Sequence, residues 1–140
     1  MSDDRIFIDT NIFVYAKLED EKDKSKQEIA TALLLEIENP IVISAQVLNE
    51  FSSVLIRHNV SNELIFDAVQ SIANECLVAA ITYKTVEQAW KTRNRYNFSY
   101  WDSLILASSI ENACTTVYTE DMQHGQTIEG ILKIVNPFSS

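Results

Sequence analysis

Apolar residues along this chain alternate between short β-branched runs and stretches with a helical period. Arg5 to Ile8 is an apolar run that stops at Asp9, and helical spacing follows at once from Asn11 to Leu18. The charged stretch Glu19 to Lys24 reads as a solvated break. Helical spacing resumes at Ile29, Ala32, Leu33, Leu35 and Ile37, and ends near Asn39-Pro40. Ile41 to Ile43 reads as a second buried strand, and Ser44 is placed to cap a helix carrying Val47, Leu48, Phe51, Val54 and Leu55. Ser61 opens another helix, with Glu63 in its first turn and Leu64, Ile65, Ala68, Val69 and Ile72 on its apolar face. Leu77 to Ile81 is a third strand, and Thr82 to Tyr96 a helix with Val86, Ala89 and Trp90 inward. The next helix, from Tyr100 to about Ile110, is apolar nearly all round and so is expected to be buried on most sides. Thr115 to Tyr118 and Ile131 to Val135 supply two further strands. Strands alternating with helices predict one three-layer α/β/α domain over residues 1–140, with a central, mostly parallel, five-stranded sheet.

Composition narrows the class. Hydrophobic residues make up 46% and charged residues 22% of the 140 positions, as in an ordinary globular chain. No apolar run approaches the roughly 20 residues that span a bilayer, and Met1-Ser2-Asp3-Asp4 lacks the basic and apolar regions of a signal peptide. Cys76 and Cys114 stand far apart without a CxxC spacing, so two buried free thiols in a reducing cytoplasm are expected. The net charge of −9 argues against a simple nucleic-acid clamp, which carries a basic face. It leaves room for carboxylates around a divalent cation, which present positive charge locally.

Four carboxylates carry the candidate chemistry. Asp9 and Asp121 each follow a strand, at the carboxyl ends where parallel sheets bind ligands. Each also has a structural reading, Asp9 as a helix cap with Thr10 or Asn11 and Asp121 as a turn initiator. Glu50 falls at the margin of an apolar helical stripe, from which it either reaches the crevice or extends to water. Asp102 lies in an S-x-x-D capping pattern with Ser99, in a first turn that also favours an ionised carboxylate. Two like charges ~4 Å apart repel by about 4 kcal/mol at an effective dielectric near 20, so such a cluster calls for protonation or a cation. Oxygen ligands without His or Cys favour Mg²⁺ or Mn²⁺, and ions of that kind support phosphodiester hydrolysis. Lys84, Gln88, Lys91 and Arg95 form a basic stripe that either contacts phosphates or is simply solvated. His58 and His124 are lone and read as structural or surface residues, and no Ser or Cys nucleophile has an adjacent base.

The segments Ile8-Asp9-Thr10-Asn11-Ile12, Asn49-Glu50-Phe51, Trp101-Asp102-Ser103-Leu104-Ile105 and Thr119 to Gly125 resemble the successive acidic motifs of PIN-domain ribonucleases, above all VapC-type toxins. The resemblance spans essentially the whole chain, and its weight lies in the order and spacing of the four motifs. It implies a PIN fold, Mg²⁺- or Mn²⁺-dependent endoribonuclease activity, a homodimer and a small antitoxin partner. By motif, Asp9, Glu50, Asp102 and Asp121 take the family's metal-binding positions, with Thr10, Asn11 and Thr119 in support. Lys84, Lys91 and Arg95 would meet the RNA. Glu120 beside Asp121 departs from relatives that carry Asn there, which leaves open which of the two faces the ion. A haloacid dehalogenase-type phosphatase would need a second acid at Asn11, and a phospho-receiver an Asp where Thr82 stands. A PIN-like scaffold that binds without cutting retains all four acids and is the remaining competitor.

Overall fold

The structure is a computed structural model that describes residues 3–139, so the first two residues of the acidic N-terminal stretch lie outside it. Its elements are β1 (Arg5–Ile8), α1 (Thr10–Lys17), α2 (Lys24–Glu36), β2 (Ile41–Ser44), α3 (Ala45–Arg57), α4 (Asn62–Glu75), β3 (Leu77–Ala79), α5 (Tyr83–Tyr96), α6 (Tyr100–Glu111), β4 (Cys114–Tyr118), β5 (Thr127–Ile128) and β6 (Leu132–Val135). They make a six-stranded sheet in the order β3-β2-β1-β4-β6-β5, parallel except for β5 against β6.

The central strands are short and β-branched because both faces are covered. Phe7, Ile8, Val42, Ile43, Val117 and Ile134 are buried in one core with Ile12, Val47, Phe51 and Leu106 from the helices. The chain leaves β1 towards β2 on one side and returns to β4 on the other. A topological switch of this kind opens a crevice at the carboxyl ends of the two strands. Asp9 N donates to Tyr118 O at 3.0 Å there, so the first acid is tied by its backbone to the end of β4.

Several details depart from the sequence reading. The additional strand, β5, is only two residues long, bracketed by Gly125 and Gly130 in positive φ, so no alternating run announces it. Trp90 is half exposed, not inward. α5 meets α6 through Thr85, Ala89 and Thr92, whose small side chains set a close approach and turn Trp90 aside. Trp101 is also exposed, because the burial of α6 begins only at Ser103. β3 ends at Ala79, short of Ile81, and as an edge strand it leaves Leu77 and Val78 partly in solvent. Ser44 occupies the N-cap position of α3 without making the cap bond, whereas Ser61 Oγ does accept from Leu64 N at 3.3 Å. Cys76 and Cys114 are both free, but only Cys114 is fully buried. Among the described residues no helix is long and apolar enough to cross a membrane.

Candidate active site

Asp9 is 3% exposed, and both its carboxylate oxygens are engaged. Oδ1 accepts from Thr10 N at 2.7 Å, the cap that starts α1, and Oδ2 accepts from Thr119 Oγ1 at 2.8 Å. The Thr119 hydroxyl in turn accepts from Asp121 N at 3.1 Å, so one buried oxygen ties the end of β1 to the loop after β4. Glu50, on α3, accepts from Thr10 Oγ1 at 3.1 Å and from Gln46 Nε2 at 2.7 Å, which fixes both of its oxygens as well. Asp102 starts α6, where its backbone N donates to Ser99 Oγ at 3.1 Å. The capping bond is thus made, and the charges of Asp121 and Glu50 still reach the Asp102 carboxylate.

The four acids feel one another. Burial pushes Asp9 up to about 6, against the opposing bonds from Thr10 and Thr119, and the charges of Asp121 and Glu50 raise it further. Asp102 is raised by burial first and then by Asp121 and Glu50. Asp121 is raised by burial, by Glu120 and by Glu50, with the Asn11 amide acting the other way. The donor set is all oxygen and holds a buried carboxylate without a cationic partner, which fits a hard divalent ion. Among the described residues no three His, Cys, Asp or Glu side chains are already gathered as a metal-holding group.

Glu120 and Asp121 part company. Glu120 accepts from Tyr15 Oη at 2.6 Å and pairs with Lys26, whose ammonium also lies over the rings of Tyr15 and Phe138. Asp121 lines an open pocket of about 470 Å³ with Thr10, Asn11, Glu50 and Arg57. Asp121 is thus the member of the pair that faces the pocket.

The basic stripe lies elsewhere. Lys84 and Lys91 line a separate groove with Glu87 and Glu111. Glu111 ends α6 nine residues after Asp102, about 13 Å along the helix axis. Arg95 pairs with Glu129 at 3.0 Å. The pocket's own cation, Arg57, was not singled out by the sequence, nor was Gln46. Both were legible by spacing, since residues 46, 50, 53 and 57 recur on one face of α3. His58 Nδ1 lies 2.9 Å from Val54 O, and His124 Nδ1 accepts from Asn136 N at 3.0 Å, so both histidines serve local structure.

Comparison with known proteins bears on this site. A family profile described as PIN domain matches residues 6–127. Among curated proteins, none matches at the significance required of a relative. Solved structures do match. One is a toxin–antitoxin complex from Klebsiella pneumoniae, at TM-score 0.70 and 17% identity over 96% of this chain and 99% of that one. Another is Mycobacterium tuberculosis VapC20, described as a sarcin–ricin-loop-cleaving toxin, at TM-score 0.66 and 20% identity over 80% of this chain and 86% of that one. A third is Rickettsia felis VapBC2 bound to a promoter DNA fragment, at TM-score 0.63 and 23% identity over 94% and 99%. At these identities the likeness establishes a shared fold.

Proposed function

The chain belongs to the PIN-domain family, and from that premise we propose that it is a metal-dependent endoribonuclease, the toxin of a toxin–antitoxin pair. The observation that carries the reading is Asp9, a buried carboxylate coupled to Asp121 and Glu50 and raised to about 6. At neutral pH it is mostly ionised, but its burial makes that charge costly to the fold, a cost that a bound cation would offset. Asp9, Asp102 and Asp121 would hold Mg²⁺ or Mn²⁺, with Glu50 as a fourth ligand or as the group that orients water. A divalent ion bound there supplies charge stabilisation and an activated water for phosphodiester hydrolysis.

The chain's own residues then have distinct tasks. Thr119 holds Asp9 Oδ2 and the Asp121 backbone in one geometry, Asn11 holds the Asp121 side chain, and Gln46 with Thr10 locks Glu50. Lys26 and Tyr15 hold the Glu120 carboxylate, which leaves Asp121 as the member of the pair that faces the pocket. Lys84, Lys91 and Arg95 serve as outer backbone contacts for RNA that runs along α5.

Solved structures of the same fold include a toxin–antitoxin complex and VapBC assemblies, which supports an antitoxin partner here. An Arg or Lys from that partner entering the acidic pocket would compete with the metal. A homodimer working in the cytoplasm completes the proposal. Cleavage of RNA by the parent chain, with and without EDTA and beside Asp9→Asn, tests it. Equal cleavage by the variant rejects the assignment. A PIN-like domain that binds a partner without cutting is the competing reading. Calorimetry with Mn²⁺ decides between the two, since only the nuclease requires binding.

A further inference from the structure

Beside the acidic pocket lies a second groove of about 710 Å³, walled by Trp101, Leu104, Ile81 and Asn49. The two hollows share Glu50, Ser53 and Arg57, so they lie side by side with a ridge of α3 between them. Trp101 is 63% exposed, a large indole left in water one residue before Asp102. Tyr100 packs edge-on against it at 5.4 Å and is itself backed by Trp90 at 5.2 Å, so the ring is supported from within the fold. Arg57, on the ridge, has no ion-pair partner among the described residues. Gln46 also lines this groove. It is 7% exposed, and its Oε1 is a buried acceptor without a partner.

These features together are those of a nucleotide subsite. An exposed aromatic accepts the face of any unstacked base. A guanidinium at the junction of the two hollows suits a phosphate that four carboxylates would otherwise repel. We propose that the groove binds one unstacked nucleotide of single-stranded RNA next to the cleavage site, its base stacked on Trp101 and its phosphate held by Arg57. This rests on the ribonuclease reading and adds to it two substrate-positioning residues, Trp101 and Arg57. Paired bases inside an A-form helix cannot offer a face to Trp101, so loops and single strands are selected over duplex.

Trp101 and Trp90 are the chain's two tryptophans, so Trp90→Phe leaves Trp101 as sole indole emitter. In an Asp9→Asn, Trp90→Phe background, titration with an unstructured pyrimidine-rich RNA octamer should quench Trp101 emission saturably. The same octamer in a duplex should not. Trp101→Leu should weaken octamer binding by about tenfold, and Trp101→Phe, which keeps a π face, by much less. Arg57→Gln should weaken it and flatten its salt dependence. Octamer binding that leaves Trp101 emission unchanged overturns the subsite. So does a Trp101→Leu chain that cleaves RNA with unaltered KM, and in that case the ribonuclease reading stands. An emission change that tracks protein concentration without RNA marks the face as a self-association surface and likewise overturns it. A parent chain that neither binds nor cleaves RNA removes both readings.

Discussion

Replacing Asp9 by asparagine should make the metal-free protein more stable while abolishing its chemistry. In the folded chain the Asp9 carboxyl is pushed up to about 6 from an ordinary 3.8, with burial the largest cause. A folded-state pKa above the unfolded one means that the fold binds the proton more tightly than the unfolded chain does. The group therefore opposes folding progressively as pH rises from about 4 to about 6, and by a constant amount above that. Two pKa units at 1.36 kcal/mol each give a penalty of about 3 kcal/mol at neutral pH. Asparagine carries no charge at any pH and keeps an oxygen for Thr10 N. Its amide can donate to Thr119 Oγ1, which already accepts from Asp121 N. The exchanged bond costs about 1 kcal/mol at any pH, leaving a net gain of roughly 2 kcal/mol at pH 8 and a net loss of up to about 1 kcal/mol near pH 4. Urea unfolding of both chains in EDTA, at steps from pH 4.5 to 8, measures this difference directly. Saturating Mn²⁺ should invert the ranking, because a ligand at 100 times its Kd adds about 2.7 kcal/mol to the chain that binds it. An Asp9→Asn chain no more stable than its parent at pH 8 in EDTA would refute the burial argument.

Three further outcomes follow from the same geometry. Mn²⁺ affinity, read by calorimetry, should strengthen as pH rises from 5 to 7 and level off above, because the ion displaces a proton from Asp9; a flat profile contradicts this. Thr119→Val should lower stability by about 1–3 kcal/mol in thermal unfolding and cut cleavage sharply, with Thr119→Ser restoring both, since the hydroxyl satisfies Asp9 and Asp121 N together. Glu120→Gln should leave RNA cleavage nearly intact, while Asp121→Asn should reduce it by orders of magnitude; comparable losses in the two would mean that the pair had been assigned the wrong way round.

Much of this was legible along the chain, and the exceptions share a cause. The β-branched runs before Asp9 and Ser44 read correctly as buried strands because both of their faces are covered, so local pattern and tertiary environment agree. Asp9, Asp102 and Asp121 were legible by their places at strand ends and a helix start, and Glu50 by its place at the margin of an apolar helical stripe; the charges of Asp121 and Glu50 reach both Asp9 and Asp102. What escaped was decided by packing partners. Trp90 reads as core on a helical wheel, yet the small residues at 85, 89 and 92 make the tighter contact with α6. The strand Thr127–Ile128 exists through its pairing with β6 and two positive-φ glycines, not through any pattern of its own. The orientation of Glu120 depends on Lys26, more than ninety positions away, and no local rule connects them.

That last pairing also bears on how five acids can crowd one end of a sheet. Lys26 pairs with Glu120 and draws it towards α2, which offsets part of a fifth charge that still raises Asp121. Arg57 borders the pocket without neutralising any of the remaining four. A fold selected only for stability would place a salt bridge or an apolar side chain at Asp9, where an uncompensated carboxylate opposes folding. The local charge is thus handled in two ways, paired with a cation at Glu120 and left unpaired at Asp9. Retention costs stability at neutral pH, and a site that must accept a cation provides the physical reason to keep it.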